Sequence, residues 1–475
     1  APGPGGGGPP RGRGPPAPPA RPPARPPPAG PGPGPRPLDD VRRAAILEAV
    51  EGLADEALRT IGIAFRTIPA EAVPGLDESS ERDLAWIGVV GMIDAPRPEA
   101  HAAVQAAHGA GIRVGMITGD HPTTGAAIAR ELGIARRGER AVTGADIERM
   151  SDAELAERVR TCTVYARVTP EHKLRIVRAL RAQGEVVAMT GDGVNDAPAL
   201  RAADIGVAMG LGGTDVAREA SDMILTDDNF ASIVAAIEEG RSIYANIQKF
   251  LRYMLSTNLA EVLVLFLAVV LAATLGLVAD GGAALVLPLL PAMILWINLL
   301  TDGAPALALG VDPADPEVMR RPPRDPRTRV ITRRMWIGVS VAAAAITAGA
   351  LAVLDASLPG GLIDGDGDVG YARTLVFTTL VLSQLFEVHC IRSDERSLVH
   401  GLFSNRWLWF AVALALALQM LAVEVPLLQQ AFGAVRLSAT DWLVCTAAAS
   451  PVLFARETLK AVWRAVDRRA AAPAA

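Results

Sequence analysis

The sequence predicts an α/β domain built on a parallel sheet, followed by an all-α membrane domain of six transmembrane helices. Two changes of texture carry that prediction. Between residues 81 and 240, short apolar runs alternate with helical segments, the pattern of a parallel α/β sheet. From about Gly240 onward, six apolar stretches follow one another, most of them near the roughly 20 residues that a membrane-spanning helix needs. Composition agrees: half of the 475 residues are hydrophobic, yet 20% are charged, so a soluble part must sit beside an apolar one. A net charge of −5 argues neither for nucleic acid nor for a polyanionic partner, and no nucleic-acid partner is expected. Cys162, Cys390 and Cys445 share no metal-type or redox spacing and read as reduced thiols.

Residues 1–37 are almost wholly Pro, Gly, Ala and Arg and lack the apolar core of a signal peptide. Such a segment cannot bury enough apolar surface to offset its ordering entropy, so disorder is expected. It reads either as a flexible tail or, more readily, as the frame-shifted start of a GC-rich gene. Ordinary composition begins at Leu38, with a helix and then a strand from Leu58 to Ile68. The run Leu84–Ile93 (LAWIGVVGMI) is the next strand, closed by Asp94 and two prolines. A helix over Pro98–Gly109, a strand over Ile112–Ile117 and a helix from Thr123 to Leu132 follow. Further on come a helix over Pro170–Gln183 and strands at Glu185–Met189, Ile205–Met209 and Met223–Leu225.

The six membrane stretches lie near 253–278, 285–309, 335–354, 374–391, 407–423 and 437–455, the last interrupted by Asp441 and Pro451. The loop 320–334 carries seven arginines, and the 392–406 loop and the tail after 455 are also basic. The alternate loops lean acidic. By the positive-inside rule, the α/β domain and the C-terminus are then cytoplasmic.

Three loops hold the soluble chemistry, each following an apolar strand, where open parallel sheets place their ligands. They are Thr118-Gly119-Asp120, the TPEHK segment with Lys173 at a helix start, and TGDGVNDAPAL from Thr190 to Leu200. Asp192 and Asp196, separated by a glycine and Asn195, are oxygen ligands of the kind Mg²⁺ prefers. A nearby lysine and threonine would bind phosphoryl oxygens and neutralise charge during transfer.

TGDGVNDAPAL resembles the hinge signature of P-type ATPases, whose phosphorylation domain has the haloacid-dehalogenase fold. GMIDAPRPEA, GIRVGMITGD, YARVTPEHK, ADIGVAMG and DDNFASIVAAIEEGR also resemble consecutive segments of calcium-type pumps, in order, over about residues 40–470. The resemblance implies a remnant of the nucleotide-binding domain over 38–80, a phosphorylation domain over 81–240 and a cation-transport domain over 241–475. It implies Asp192 as a direct Mg²⁺ ligand with Asp196 beside it. Lys173 and Thr118 would contact the phosphoryl group, Gly119 would supply a backbone N–H, and Asp120 and Asn195 would order the site. Asp94 would stand at the hinge toward bound ATP, in DAPR where the family has DPPR.

Polar side chains inside membrane helices are costly and so mark sites. Asn258 and Glu261 lie three apart on the first stretch; Asn298, Thr301 and Asp302 share one face of the second. Five oxygen-bearing side chains on two adjacent helices suit a hard cation. Gly303, Ala304 and Pro305 would interrupt the second helix and free backbone carbonyls. The alternative is that the amides and the hydroxyl only join helices, but two buried carboxylates need a partner.

STNLAEVL and WINLLTDGAPALALG resemble sarcoplasmic-reticulum-type pumps, whose matching residues bind Ca²⁺. Sodium–potassium pumps typically have Asp where Asn298 stands. In QLFEVHCIRSDERSL the place of a further calcium-ligating Glu is held by Gln384, with Glu387 one turn on as a possible substitute; one ion per cycle follows. Mn²⁺ remains open beside Ca²⁺.

The family's DKTGT motif, the KGA segment, the TGE-bearing actuator and the first four membrane helices do not occur in the sequence. Covalent catalysis needs its nucleophile, so this chain alone is expected not to turn over ATP. Two readings stand: a fragment of an ATP-driven Ca²⁺ exporter of a bacterial plasma membrane, or a split or regulatory half that pairs with a separately encoded N-terminal half. A membrane-anchored phosphatase of the same fold ranks last.

Overall fold

The computed structural model describes residues 37–55, 58–69, 77–78, 81–92, 96–275, 277, 287–363, 365–393, 397–399 and 401–471. The expectations for residues 1–36 and for Asp94 lie outside the described residues.

The chain forms two compact units, residues 1–94 and 95–475. In the first, helix α1 (Asp40–Asp55) precedes strand β1 (Arg59–Phe65), which pairs antiparallel with β2 (Ala85–Met92) from Arg59↔Met92 to Phe65↔Ala85. The β2 run was expected to open the parallel domain at 81. Its ladder partner is β1 instead, so the break between units falls after residue 94.

The second unit opens with α2 (Pro98–Gly109), whose proline at the first turn forgoes an N–H that no helix would have used. Then come β3 (Met116–Thr118), α3 (Pro122–Glu131), β4 (Val142–Thr143), α4 (Gly144–Arg149), α5 (Asp152–Arg158), β5 (Val164–Ala166) and α6 (Pro170–Ala182). The series ends with β6 (Ala188–Gly191), α7 (Ala197–Ala202), β7 (Ile205–Met209), α8 (Asp215–Glu219) and β8 (Met223–Leu225). All pairings here are parallel, in two three-stranded sheets ordered β3-β5-β4 and β6-β7-β8. This is the expected α/β class. Strand β3 is shorter than the apolar run 112–117 because Ile112 spends its N–H on Ala107 O at the close of α2. Ile117 and Leu180 of α6 pack against the apolar cores of both sheets.

Helix α9 (Phe230–Val270) runs 41 residues, about 60 Å at 1.5 Å per residue, without a break. It joins the α/β layer to the membrane bundle. The bundle continues with α10 (Pro291–Trp296) and α11 (Gly303–Gly310), which a π-helical turn over Ile297–Thr301 links into one span. Next are α12 (Arg333–Asp355), α13 (Val369–Cys390), α14 (Arg406–Glu424), α15 (Pro426–Phe432), α16 (Ala439–Ala449) and α17 (Pro451–Ala471). Among the described residues five helices are long and apolar enough to cross a membrane: α9, α10–α11, α12, α13 and α14. The expected sixth is split at Pro451 into α16 and the polar-faced α17, because proline removes a helical hydrogen bond and clashes with the preceding turn.

Arg241 of α9 clasps the two layers. It donates to the carbonyls of Val318 and Arg321 in the loop before α12, and to Ala110 O after α2.

Candidate functional site

Chemistry-bearing residues converge at two places in the second unit. In the α/β layer, β6 ends in the loop Thr190–Asp196. Gly191 is required there: a Cβ would lie 2.5 Å from that of Asp196, so the loop closes only over a bare backbone. Asp196 is buried and both of its oxygens are engaged. Lys173 Nζ donates to Oδ1, and the N–H groups of Asp192 and Gly193 approach Oδ2 at 3.4 and 3.3 Å. Asp192 is exposed and keeps its carboxylate free to solvent, while its carbonyl accepts from Thr214 N at 2.8 Å. Asn195 is exposed on the 3₁₀ turn that follows.

Lys173 sits in the first turn of α6, where helix-terminal N–H groups add partial positive charge to its ammonium. The Thr118–Asp120 loop after β3 lies beside this helix start. Asp120 O accepts from Arg167 N at 3.2 Å, and Thr118 Oγ1 donates to Asp120 Oδ2 at 2.9 Å. Gly119 is exposed, and a Cβ there would meet nothing within 4 Å. The structure therefore joins Lys173, Asp192 and Asp196 directly. Thr118, Gly119 and Asp120 abut the 167–169 segment that leads into α6. One free carboxylate, with a lysine and a helix N-terminus close by, fits a Mg²⁺ ion that completes its shell with water and phosphate oxygens.

The second place is inside the membrane bundle. Glu261 of α9 is buried, and each of its oxygens is held by an amide. Asn298 Nδ2 donates to Oε2 at 2.6 Å, and Gln384 Nε2 of α13 donates to Oε1 at 3.0 Å. Asp302 is wholly buried at the start of α11. Tyr253 Oη donates to its Oδ1 at 2.9 Å, whereas Oδ2 has no hydrogen-bond partner. Gln384 Oε1 is likewise buried without one. The two carboxylates are within electrostatic reach of each other, and no basic side chain is bonded to either among the described residues.

Buried polar atoms without partners are rare and need a reason. Here they are acceptor oxygens, one on Asp302 and one on the amide that bonds Glu261, a donor set that suits a hard cation. The π-helical turn adds to this. It closes with Asp302 N donating to Ile297 O at 2.9 Å, so the second span is widened at Asn298–Thr301 rather than broken. Pro305 lacks an N–H and leaves a carbonyl of the preceding turn without its helical donor.

Thr301 and Asn258 are placed less directly. Thr301 Oγ1 donates to Ile297 O at 3.0 Å, and Asn258 Nδ2 to Met254 O at 2.8 Å, each within its own span. Sequence reasoning missed Tyr253 and Thr257, which stand beside Asp302. Their signal was present: Tyr253, Thr257 and Glu261 recur every four residues and so share one helix face. Glu387, considered as a substitute ligand, instead pairs with Arg456 of α17 at 3.3 Å.

Comparison with known proteins bears on both layers. A family described as haloacid dehalogenase-like hydrolase matches residues 33–204, and the cation transporting ATPase C-terminus matches residues 286–462. The calcium-transporting ATPase of Bacillus subtilis (strain 168) is 43% identical over 403 residues, which are 85% of this chain and 43% of that protein. Calcium-transporting ATPase 1 of Saccharomyces cerevisiae is 40% identical over 431 residues, 90% of this chain and 43% of the relative. A probable cation-transporting ATPase F of Mycobacterium tuberculosis is 40% identical over 432 residues, 89% and 45% respectively. The chain thus spans less than half the length of these relatives. With a haloacid-dehalogenase-like layer, a helical membrane bundle and these relatives, the chain belongs to the P-type cation-transporting ATPases and is calcium-pump-like.

Proposed function

We propose that this chain supplies the phosphoryl-handling loops and the cation site of an ATP-driven pump that exports Ca²⁺ from the cytoplasm. The observation that carries the reading is the wholly buried Asp302. One of its oxygens lacks a hydrogen-bond partner, and it lies beside Glu261 with amide and hydroxyl groups, and no basic side chain among the described residues, bonded to the pair. Two negative charges in a low-dielectric interior are costly unless a cation joins them. Carboxylate, amide and hydroxyl oxygens match Ca²⁺ or Mn²⁺, and the relatives' names favour Ca²⁺.

In the α/β layer Lys173 would hold phosphoryl oxygens, and the Thr118–Asp120 loop would add a hydroxyl and a backbone N–H. Asp192 would hold Mg²⁺, which supplies neutralisation of phosphate charge when ATP is used. Asp196, with both oxygens taken, keeps Lys173 and the loop in place. Asn195 would order the loop, and Asp94 would serve at the hinge toward the nucleotide. The covalent nucleophile would be an aspartate of a DKTGT segment, which does not occur in these 475 residues. In this reading the chain alone does not turn over ATP. It works joined to, or paired with, the half that carries that motif.

The basic 320–334 loop supports an orientation with the α/β layer and the C-terminus cytoplasmic, and the membrane in this reading is a bacterial plasma membrane. The alternative, an inactive regulatory half, separates from this one in transport. ATP-dependent ⁴⁵Ca²⁺ uptake into inverted vesicles should appear only when a DKTGT-bearing half is present, and Asp302→Asn should abolish it. Uptake by the chain alone would overturn the division of labour. No uptake with both halves present would leave the regulatory reading.

A further inference from the structure

We propose that Asp312 is a positioning residue of the membrane site: clamped by Lys249 and Arg392, it sets the register of α9, α11 and α13 in which Glu261, Asp302 and Gln384 meet. The inference rests on the cation-site reading above and extends it to residues outside the ligand cluster.

The three helices that bring oxygens to the cluster come together a second time, on the side of the α/β layer. On α9, Lys249, Tyr253, Thr257 and Glu261 recur every four residues along one ridge. Helix α11 begins directly after Asp302, and Asp312 lies two residues beyond its last, Gly310. Helix α13 carries Gln384, and Arg392 lies two residues beyond its last, Cys390. At 1.5 Å per residue the second meeting lies roughly 12–18 Å along the helices from the first.

Asp312 is the centre of that meeting. It is buried; Lys249 Nζ donates to its Oδ2 at 2.7 Å, and Arg392 Nε donates to its Oδ1 at 3.0 Å. Asn405, the N-cap of α14, donates through Nδ2 to the same Oδ1 at 3.0 Å and to Ala308 O of α11 at 2.9 Å. Asn246 of α9 donates to Asp312 O at 2.8 Å, and Lys249 Nζ also donates to Asn246 Oδ1 at 2.9 Å. Arg392 in turn donates to Gly401 O at 2.8 Å and to Ser404 Oγ at 2.6 Å. Neutralising one buried carboxylate takes one cation. Asp312 is held by two, one from α9 and one from the end of α13. The second cation therefore serves placement: it ties α9 to α13 through α11.

Placement matters most for Asp302. The π-helical turn over Ile297–Thr301 interrupts the α-helical ladder just before it, the kind of break at which helices hinge. Helix α11 has only eight residues, and its far end is the end that the clamp grips. Calcium needs its oxygens at about 2.3–2.6 Å. A slip of roughly half an ångström along α9 or α11 is then enough to spoil the set.

The test is equilibrium binding of ⁴⁵Ca²⁺ to the full chain in lipid nanodiscs, below the onset of thermal unfolding as followed by circular dichroism. Lys249→Met frees α9 from the clamp and leaves Asp312 with Arg392. It should raise the Kd for Ca²⁺ about tenfold, the lower end of what residues supporting metal ligands contribute. The sign is the discriminating readout. Removing a positive charge from the bundle would, through Coulomb's law alone, lower the Kd. A lower Kd would therefore overturn the proposal in favour of a purely electrostatic role. An unchanged Kd with a reduced melting temperature would overturn it in favour of packing. Should Lys249→Met fail to fold, Asn246→Ala takes its place, since it loosens Asp312 and Lys249 without altering charge. That variant should raise the Kd roughly threefold or more. A Kd equal to the wild-type value would overturn the proposal while leaving the cation site standing. No Ca²⁺ bound by the wild-type chain would overturn the cation-site reading itself, and the positioning role with it.

Discussion

The loop around Asp196 in the α/β layer and the Glu261–Asp302 cluster in the membrane bundle both bury carboxylates, and they compensate them in opposite ways. In the soluble layer Asp196 is complete as it stands: a lysine holds one oxygen and two backbone N–H groups approach the other. In the bundle Glu261 and Asp302 meet amides and a phenol, and one oxygen of Asp302 has no hydrogen-bond partner among the described residues. Charge that is neutralised internally holds a loop in position. Charge that is left over creates demand for something from solution. On the proposed reading, the same residue type serves architecture in one layer and binding in the other, and the difference lies in the partners.

The largest effect should come from the unneutralised pair. Asp302→Asn removes half of the cluster's charge and should weaken ⁴⁵Ca²⁺ binding by the full chain at least about 100-fold, with Glu261→Gln close behind. A loss under about tenfold would break the comparison, because the pair would then not be the seat of the cation. Folding should survive both changes, since each variant relieves a buried charge.

The neutralised pair should respond in the opposite sense. Lys173→Met leaves Asp196 charged and buried, and should lower the stability of the α/β layer by roughly 2–3 kcal/mol, reduced from the fully buried case because Lys173 is partly exposed. Adding Asp196→Asn should recover most of that loss, as read by thermal unfolding. EGTA should leave both melting curves of the α/β layer unmoved, whereas it should lower the melting temperature of the bundle.

A smaller effect tests the phenol. Tyr253→Phe takes away the donor to Asp302 Oδ1 and leaves that oxygen without the hydroxyl's proton, at a cost of about 1–3 kcal/mol in the cation-free bundle. Saturating Ca²⁺ should shrink that difference, because the ion supplies what the phenol did. An equal loss with and without Ca²⁺ would mean that Tyr253 acts on packing alone.

How much of this was legible follows the same division. Strands β7 and β8 fall where their apolar runs lie, and α2 spans the residues between its opening proline and closing glycine, because those signals are local. The membrane carboxylates were legible because an acid in an apolar stretch stands out. Three features were not. The π-helical turn is invisible because Asn298, Thr301 and Asp302 share a face in an α-helix as well. The pairing of β2 with β1 depends on an antiparallel ladder that alternating apolar runs do not specify. Arg456 lies 69 residues from Glu387, and no periodicity links them; only the packing of α17 against α13 brings them together.

The smallest expected effect concerns Asp228, the soluble layer's clearest case of a carboxylate satisfied by the chain itself. It sits just before α9 at a positive φ of 51° and accepts from Gly210 N, Leu211 N and Gly212 N at 2.7, 3.0 and 2.7 Å. It thereby ties the loop after β7 to the entrance of the long helix. The Leu211 N–H, with its two neighbours, holds the carboxyl below the usual carboxylate range against the opposing pull of desolvation. A depressed folded pKa means stability that is present above the unfolded value, near 3.9, and lost as pH falls through the folded one. Protection of the three amides against hydrogen exchange should therefore hold at pH 5 and fall below about pH 4. Asp228→Asn should lower it at neutral pH and flatten that acid response. Because these donors are backbone groups, neither Ca²⁺ nor EGTA should alter the profile. A cation-dependent shift there would show that the two layers do not keep their charges separate, and that α9 carries the state of the membrane site into the loop.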